Sequence, residues 1–274
     1  MQLEYDLICS LGGNCTAAHN LRYRNMRLYS LPFDWCYFTT PEALTHLAHG
    51  FKNQFSDFCK KENMQKLEDN SAHQNIFKDN FSKYIFPNHI QKSELDAQTY
   101  NEFYQTFNRR VQRLFECIEK SNNILFLLSS PLQISEDILK TLHQELSDTF
   151  SNKNIFLKVL LMNNPEEKEI NDGNLTINQY HRPFNKYDFQ RTNFEWQFMD
   201  QIKLTKKTIK RGNPILQYKK LKRGFSIQFF PHISTIISTK CYLLGFNLQL
   251  IIGKEKEWNK ENLIKTFFAL MNNN

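Results

Sequence analysis

The sequence predicts an α/β fold with a mainly parallel, doubly wound sheet of the Rossmann or flavodoxin kind, followed by a C-terminal extension that is first basic and then apolar. Three observations lead there. Short apolar runs at residues 5–11, 124–128, 155–162 and 175–180 each end in a turn marked by Gly, Ser, Asn or Pro. Helical patterns lie between those runs, and alternation of strands with helices argues for a parallel sheet. Near residue 203 the charge pattern changes abruptly.

Residues 5–11 form the first strand, closed by Gly12-Gly13-Asn14. A helix over 15–25 follows, with Ala17, Ala18 and Leu21 on one side. Ser30-Leu31-Pro32-Phe33-Asp34-Trp35 is a loop or short strand punctuated by Pro32. Thr40-Pro41-Glu42 carries a helix-start pattern, with Thr40 as cap and Pro41 in the first turn, and Gly50 is placed to end that helix after His49. Residues 51–96 are polar and read as irregular. Tyr100, Phe103, Phe107, Val111, Leu114 and Ile118 recur at three- and four-residue steps, which predicts a helix over 97–120. Strands at 124–128 and 155–162 bracket a helix at 135–149, capped by Ser135, with Ile138, Leu142 and Leu146 on one face. A last strand at 175–180 runs into His181-Arg182-Pro183.

Composition bounds the rest. The 274 residues include 24 Phe and are 41% hydrophobic, enough for a sizeable core and against global disorder. The net charge of +7 accompanies an Asn-, Lys-, Ile- and Phe-rich composition and is a weak sign of nucleic-acid binding. None of the six cysteines forms a C-x-x-C pair or stands at zinc spacing to a His pair, so no metal or other cofactor is expected. The start of the chain lacks a basic segment followed by an apolar run, and no stretch reaches the ~18 apolar residues of a membrane span. A cytoplasmic protein with reduced thiols is expected. Residues 1–202 are taken as the core domain and 203–274 as the extension. Nine Lys and Arg fall in 203–223 without an acidic residue, and largely uncharged stretches follow to 253. This pattern suits an anionic membrane surface, with peripheral attachment at the inner membrane. It equally describes a solvated helix face before a packed hairpin. Nucleic acid is disfavoured because aromatics are sparse and no recognition motif accompanies the run.

Chemistry concentrates at the first turn. In a parallel sheet, ligands bind beyond the C-terminal strand ends. That rule collects Ser10, Gly12, Gly13, Asn14, Cys15, Ser129, Ser130, Asn163, Asn164 and His181 on one rim. A Cys at a helix N-terminus can have its pKa lowered from about 8.5 to roughly 3.5–7.5. Cys15 is therefore the candidate nucleophile, with Asn14 or backbone N–H groups as oxyanion donors. Its plainer reading is a small side chain packed beneath the helix. Ser10 is a rival nucleophile, and Gly12-Gly13 could cradle a phosphate. His19 stands one helical turn from Cys15. A base arriving from another element is preferred, His181 or His89, with Asp34 to orient the imidazole. Each histidine also reads simply as a packing residue.

Ser10-Leu11-Gly12-x-Asn14-Cys15, then Ala18 and Leu21-Arg22, then Ser30-x-Pro32-Phe33-Asp34-Trp35 resembles the putative papain-like cysteine peptidase family of bacteria. The likeness covers residues 5–60 and extends through the helix with Arg109, Arg110 and Arg113. It implies Cys15 as nucleophile and Asp34 as part of the site. The family tends to place a His near His89, often followed by Asp, whereas here Ile90-Gln91 follows. Such members look like companions of surface-polysaccharide biosynthesis. The function expected is thus a thiol-dependent hydrolase or transferase acting on a peptide or glycan-type substrate. A sugar-phosphate-binding, glycan-processing transferase is the second reading, and a non-enzymatic membrane- or nucleic-acid-binding module the third.

Overall fold

The computed structural model describes residues 3–24, 26–67, 75–87, 89–90, 94–181 and 194–205. The chain divides into units at 1–209 and 210–274, and every described residue lies in the first. The remainder of the basic run, the uncharged stretches to 253, residues 254–274 and Cys241 lie outside the described residues.

Two short strands, Leu3–Tyr5 (β1) and Leu7–Ser10 (β2), open the fold and lead through the Gly-Gly-Asn turn into Thr16–Tyr23 (α1). Tyr37–Phe38 (β3) and Glu42–Lys52 (α2) follow. Then come Met64–Leu67 (β4), Ile76–Asp79 (β5) and Tyr84–Pro87 (β6). Ala97–Glu119 is the long helix α3. Asn123–Ser130 (β7), Glu136–Thr149 (α4) and Asn154–Leu161 (β8) form a parallel strand–helix–strand unit. Lys168–Asp172 (β9) and Leu175–Gln179 (β10) make a hairpin, turned at Gly173 (φ +58°). Phe194–Gln201 is a 3-10 segment that ends in Ile202–Leu204 (β11).

These elements make a mixed α/β fold. The main sheet has the order β2-β7-β8-β10-β9, parallel except at the β9 edge. β1 pairs with β11 in parallel, so the core runs through Leu204, past the boundary expected after residue 202. Counting from β2, the parallel strands β7, β8 and β10 all add in one direction, and the order steps back only at the antiparallel β10-β9 hairpin. The doubly wound pattern is therefore not displayed within that sheet.

Side chains on the central strands alternate between two buried clusters, as the two-residue period of a strand requires. Ile124, Phe126 and Leu128 enter a large Phe-rich cluster with Phe103, Phe107, Val111 and Leu114 of α3 and Leu139, Leu142 and Leu146 of α4. Leu125 and Leu127 face Ala17 and Leu21 of α1, with Trp196 and Met199, on the opposite side. Ser135 caps α4 as expected, accepting from the Ile138 amide. The buried stripe of α4, however, runs through Leu139, with Ile138 only partly covered.

Two expectations give way. Residues 51–96 are not irregular throughout: β3-β6-β5-β4 is a four-stranded antiparallel sheet. Its signature was masked because Asp79, fully buried, ends β5 and accepts from the Cys59 amide (2.9 Å), the Ser82 hydroxyl (2.6 Å) and the Phe81 amide (3.2 Å). A polar residue at a core position looks like a loop in the sequence. Gly50, in turn, does not end α2, which continues to Lys52. It is needed there for close packing, because a Cβ would stand 2.4 Å from the Phe55 ring.

Phe55 is itself buried between Phe33, Phe51, Phe58 and Phe115 and cannot swing away. Gly50→Ala would gain about 1 kcal/mol of helix propensity and lose roughly 1–3 kcal/mol to overpacking. The expected net result is a loss of about 1 kcal/mol, read as a lower midpoint in urea. An unchanged or higher midpoint would show that Phe55 can yield.

Candidate active site

The turn after β2 is held by its own side chains. The Ser10 hydroxyl accepts from the Gly12 amide at 3.2 Å. Asn14 Oδ1 accepts from the Thr16 amide at 2.9 Å and from the Thr16 hydroxyl, while Asn14 Nδ2 donates to Ser129 Oγ at 3.2 Å. Thr16 Oγ1 also lies 3.1 Å from Ser129 Oγ. Asn14 thus closes an Asx turn across the start of α1. Cys15 occupies the capping position without a side-chain cap bond. Ser10, Asn14 and Ser129 are all buried and engaged with one another or the backbone. Their hydrogen bonds fix the turn.

Both glycines are explained by close backbone approach. Gly13 (φ +84°) lies so near β7 that a Cβ would stand 2.3 Å from the Ser129 carbonyl. Gly12 (φ +82°) faces the Cys36 and Phe33 carbonyls, at 3.1 and 3.3 Å from its ideal Cβ, and the Tyr84 ring at 3.1 Å. The Tyr84 hydroxyl donates to the Leu11 carbonyl at 2.8 Å. The first turn is therefore packed onto the Pro32–Trp35 loop, and two motifs separated in sequence become one structure.

That loop is ordered by Asp34. Its Oδ2 accepts from Arg27 Nε (2.9 Å) and the Leu31 amide (2.9 Å), and it pairs with Arg27 Nη2 at 2.8 Å. Burial pushes the Asp34 carboxyl up, while Arg27, the Leu31 amide and Arg110 oppose that shift. No hydrogen bond or ion pair joins Asp34 to an imidazole among the described residues. Trp35 stands beside it, with Arg27 5.1 Å above its ring and His19 edge-on at 4.8 Å.

The candidate bases separate clearly. The His19 amide donates to the Cys15 carbonyl at 3.0 Å, the first helical step of α1. Burial, then Arg22 and Arg27, depress the His19 imidazole to about 4. His89 lies against Phe86, with Nδ1 3.5 Å from Arg110 Nη1. Burial and Arg110 bring it also to about 4, opposed by the Trp35 backbone. His181 follows β10, three strands from β2, or roughly 14 Å across the sheet at about 4.8 Å per strand. Its Nδ1 is 2.9 Å from the Asn164 carbonyl. Asn163, at φ +61°, donates to the Pro131 carbonyl and is exposed. The structure brings Ser10, Gly12, Gly13, Asn14, Cys15 and Ser129 together and sets Asp34 and His89 on the adjoining loop cluster. It leaves Asn163 and His181 farther along the rim.

Residues 6–167, more than half of the chain, match the model of the family described as "Putative papain-like cysteine peptidase". The chain belongs to this family. A curated relative, an uncharacterized protein of Acanthamoeba polyphaga mimivirus, is 24% identical over 180 residues, covering 59% of this chain and 79% of that protein. The expected confinement of the family to bacteria is not carried by that relative, which is viral. No solved structure matches. The matched span of this papain-like family member contains every element of the Cys15 turn and the Asp34 loop, and it ends before His181. Arg27 and Trp35 were missed in the sequence as site residues. The only hint was their spacing around Asp34.

The electrostatics modify the initial view of Cys15. Burial raises its thiol above the ordinary value, and its own backbone hydrogen bonding only partly offsets this. The helix-terminus effect is outweighed by desolvation. The half-buried Cys15 is thus a neutral thiol at pH 7, one helical turn from a neutral His19. Alkylation by iodoacetamide, followed by peptide mass spectrometry, should give a Cys15 rate that is low at pH 6.5 and keeps rising above pH 9. A half-maximal rate below pH 8 would mean a preformed thiolate instead.

Proposed function

We propose that this papain-like family member is a thiol-dependent peptidase with Cys15 as nucleophile and His19 as general base. One observation carries the pairing. Cys15 has right-handed helical dihedrals (φ −82°, ψ −3°) and its carbonyl receives the His19 amide, so thiol and imidazole stand one turn apart on one helical face. Cβ atoms at that spacing are about 5–6 Å apart. His89, held against Arg110, and His181, across the sheet, have weaker claims.

In this reading the substrate carbonyl sits above the start of α1. His19, neutral over the physiological range, takes the Cys15 proton as Sγ attacks. Backbone N–H groups in the first turn of α1 stabilise the oxyanion. The imidazolium returns the proton to the leaving amine, and water then hydrolyses the thioester. Because both groups rest uncharged, proton transfer accompanies attack. Asn14, Ser129 and Asp34 act by holding the turn and the loop in place. The Gly12-Gly13 pair, filled by protein carbonyls, does not serve as a phosphate cradle, which favours a peptide over a sugar phosphate.

We also read the sheet as doubly wound once β11 is included. The Tyr5 carbonyl accepts from Thr205, while the next amide, Asp6, donates to Asn123. β11 and β7 then flank the first strand on opposite edges, and the reversal of direction beside β2 is where ligands collect in such sheets.

Activity on a mixed fluorogenic peptide library tests the assignment. Cys15→Ala should abolish cleavage, and His19→Ala should lower kcat by about 10²–10⁴. His181→Ala should stay within about twofold of the unaltered protein. Cleavage that survives Cys15→Ala would refute the nucleophile, and a fully active His19→Ala would refute the base.

A further inference from the structure

Three guanidinium groups converge on the loop beside this site, and one carboxylate serves them. Arg27 takes Asp34 and also donates to Ser30 Oγ at 2.9 Å. Arg113 donates to the Ser30 carbonyl at 3.3 Å and lies 5.3 Å above the Tyr29 ring. Arg110, one helical step from Arg113 on the same side of α3, has the uncharged His89 as its hydrogen-bonding neighbour. Neither Arg110 nor Arg113 has a carboxylate within 4 Å among the described residues. Asp34, almost fully buried, has both its Arg27 bonds and the Leu31 amide on one oxygen. Asp34 thus balances one of the three positive charges.

The surroundings are partly dry. Arg27, Arg110 and Arg113 are all half-buried, and Trp35 and Tyr29 present ring faces to two of them. A guanidinium removed from water without a counter-charge is unfavourable unless an anion completes it. Its planar fork of donors suits carboxylate and phosphate oxygens in particular. Aromatic rings flanking the forks would also cover the apolar part of a ligand carrying that anion.

We propose that Arg110 and Arg113, with Arg27 behind them, form an anion-binding subsite on the Ser30–Trp35 loop that takes a carboxylate or phosphate group of the ligand. Read with the peptidase assignment, this subsite selects peptides carrying an acidic side chain, a free C-terminus or a phosphorylated residue near the scissile bond. That extension rests on the assignment. The anion site itself does not.

The test is direct binding to the full chain at constant ionic strength, with chloride as the balancing ion. Inorganic phosphate and succinate are the two probes, titrated separately up to 50 mM and followed by calorimetry and thermal melting. Phosphate or succinate should bind in the millimolar range and raise the melting temperature, and the tighter probe identifies the oxyanion preferred. R110A/R113A should weaken that binding at least tenfold, while R109A, on the exposed side of α3, should leave it unchanged. Should the double alanine variant fold poorly, R110K/R113K keeps both charges and loses the forks, and a threefold or greater weakening is expected. Absence of binding by both probes, or full binding by the double variant, would overturn the subsite. Anion binding in a protein without peptidase activity would sink only the catalytic assignment.

Discussion

Everything about the site depends on how closely the Gly12-Gly13 backbone approaches its neighbours. On one side Gly13 lies against the Ser129 carbonyl at the end of β7. On the other, Gly12 faces the carbonyls of Phe33 and Cys36. A Cβ at Gly13 would collide with the Ser129 carbonyl, one at Gly12 would crowd its neighbours, and both residues adopt positive φ, which glycine supplies without strain. These two contacts lock β2, β7 and the Pro32–Trp35 loop into a single geometry. The position of Cys15, the start of α1 and the edge-on contact of His19 with Trp35 follow from that lock.

A second constraint is electrostatic. The site is built from partly buried groups, and desolvation dominates each of them. It raises Cys15 and Asp34 and lowers His19 and His89. Arginines add to the effect on the imidazoles and counter it on Asp34. The outcome is an uncharged thiol and imidazole beside a cluster of permanent positive charge. Of the arginines that depress His19, Arg22 and Arg27, only Arg27 belongs to this cluster, where Asp34 already pairs with it.

Much of this was legible in the sequence, for identifiable reasons. The strands at 124–128 and 155–162 are apolar runs, broken only by Lys158, because their side chains enter buried clusters on both faces, and α3 repeats aromatics at helical spacing because one face meets the sheet. The resemblance of the Ser-Leu-Gly and Pro-Phe-Asp-Trp motifs to one family was readable from residue type and spacing. Their mutual packing was not, because it runs through backbone carbonyls that no residue letter reveals. The antiparallel sheet was hidden by its short strands and by the buried Asp79. The thiol's direction of shift was missed for a related reason: a helix terminus is visible in sequence, whereas the burial that outweighs it is a property of the folded chain. The choice of His181 followed from its place at a strand end, and only the strand order shows how far that end lies from β2.

The central claim is that Cys15 is the reactive centre of this fold. The most direct measurement is labelling of the native protein with a peptidyl epoxide, followed by intact-mass analysis and peptide mapping. The account predicts one adduct per chain, on Cys15, formed faster with the unaltered protein than with His19→Ala. The half-buried Cys117 on α3 should remain unlabelled. An adduct on Cys117, or none on Cys15 under conditions where the epoxide labels a papain control, would contradict it.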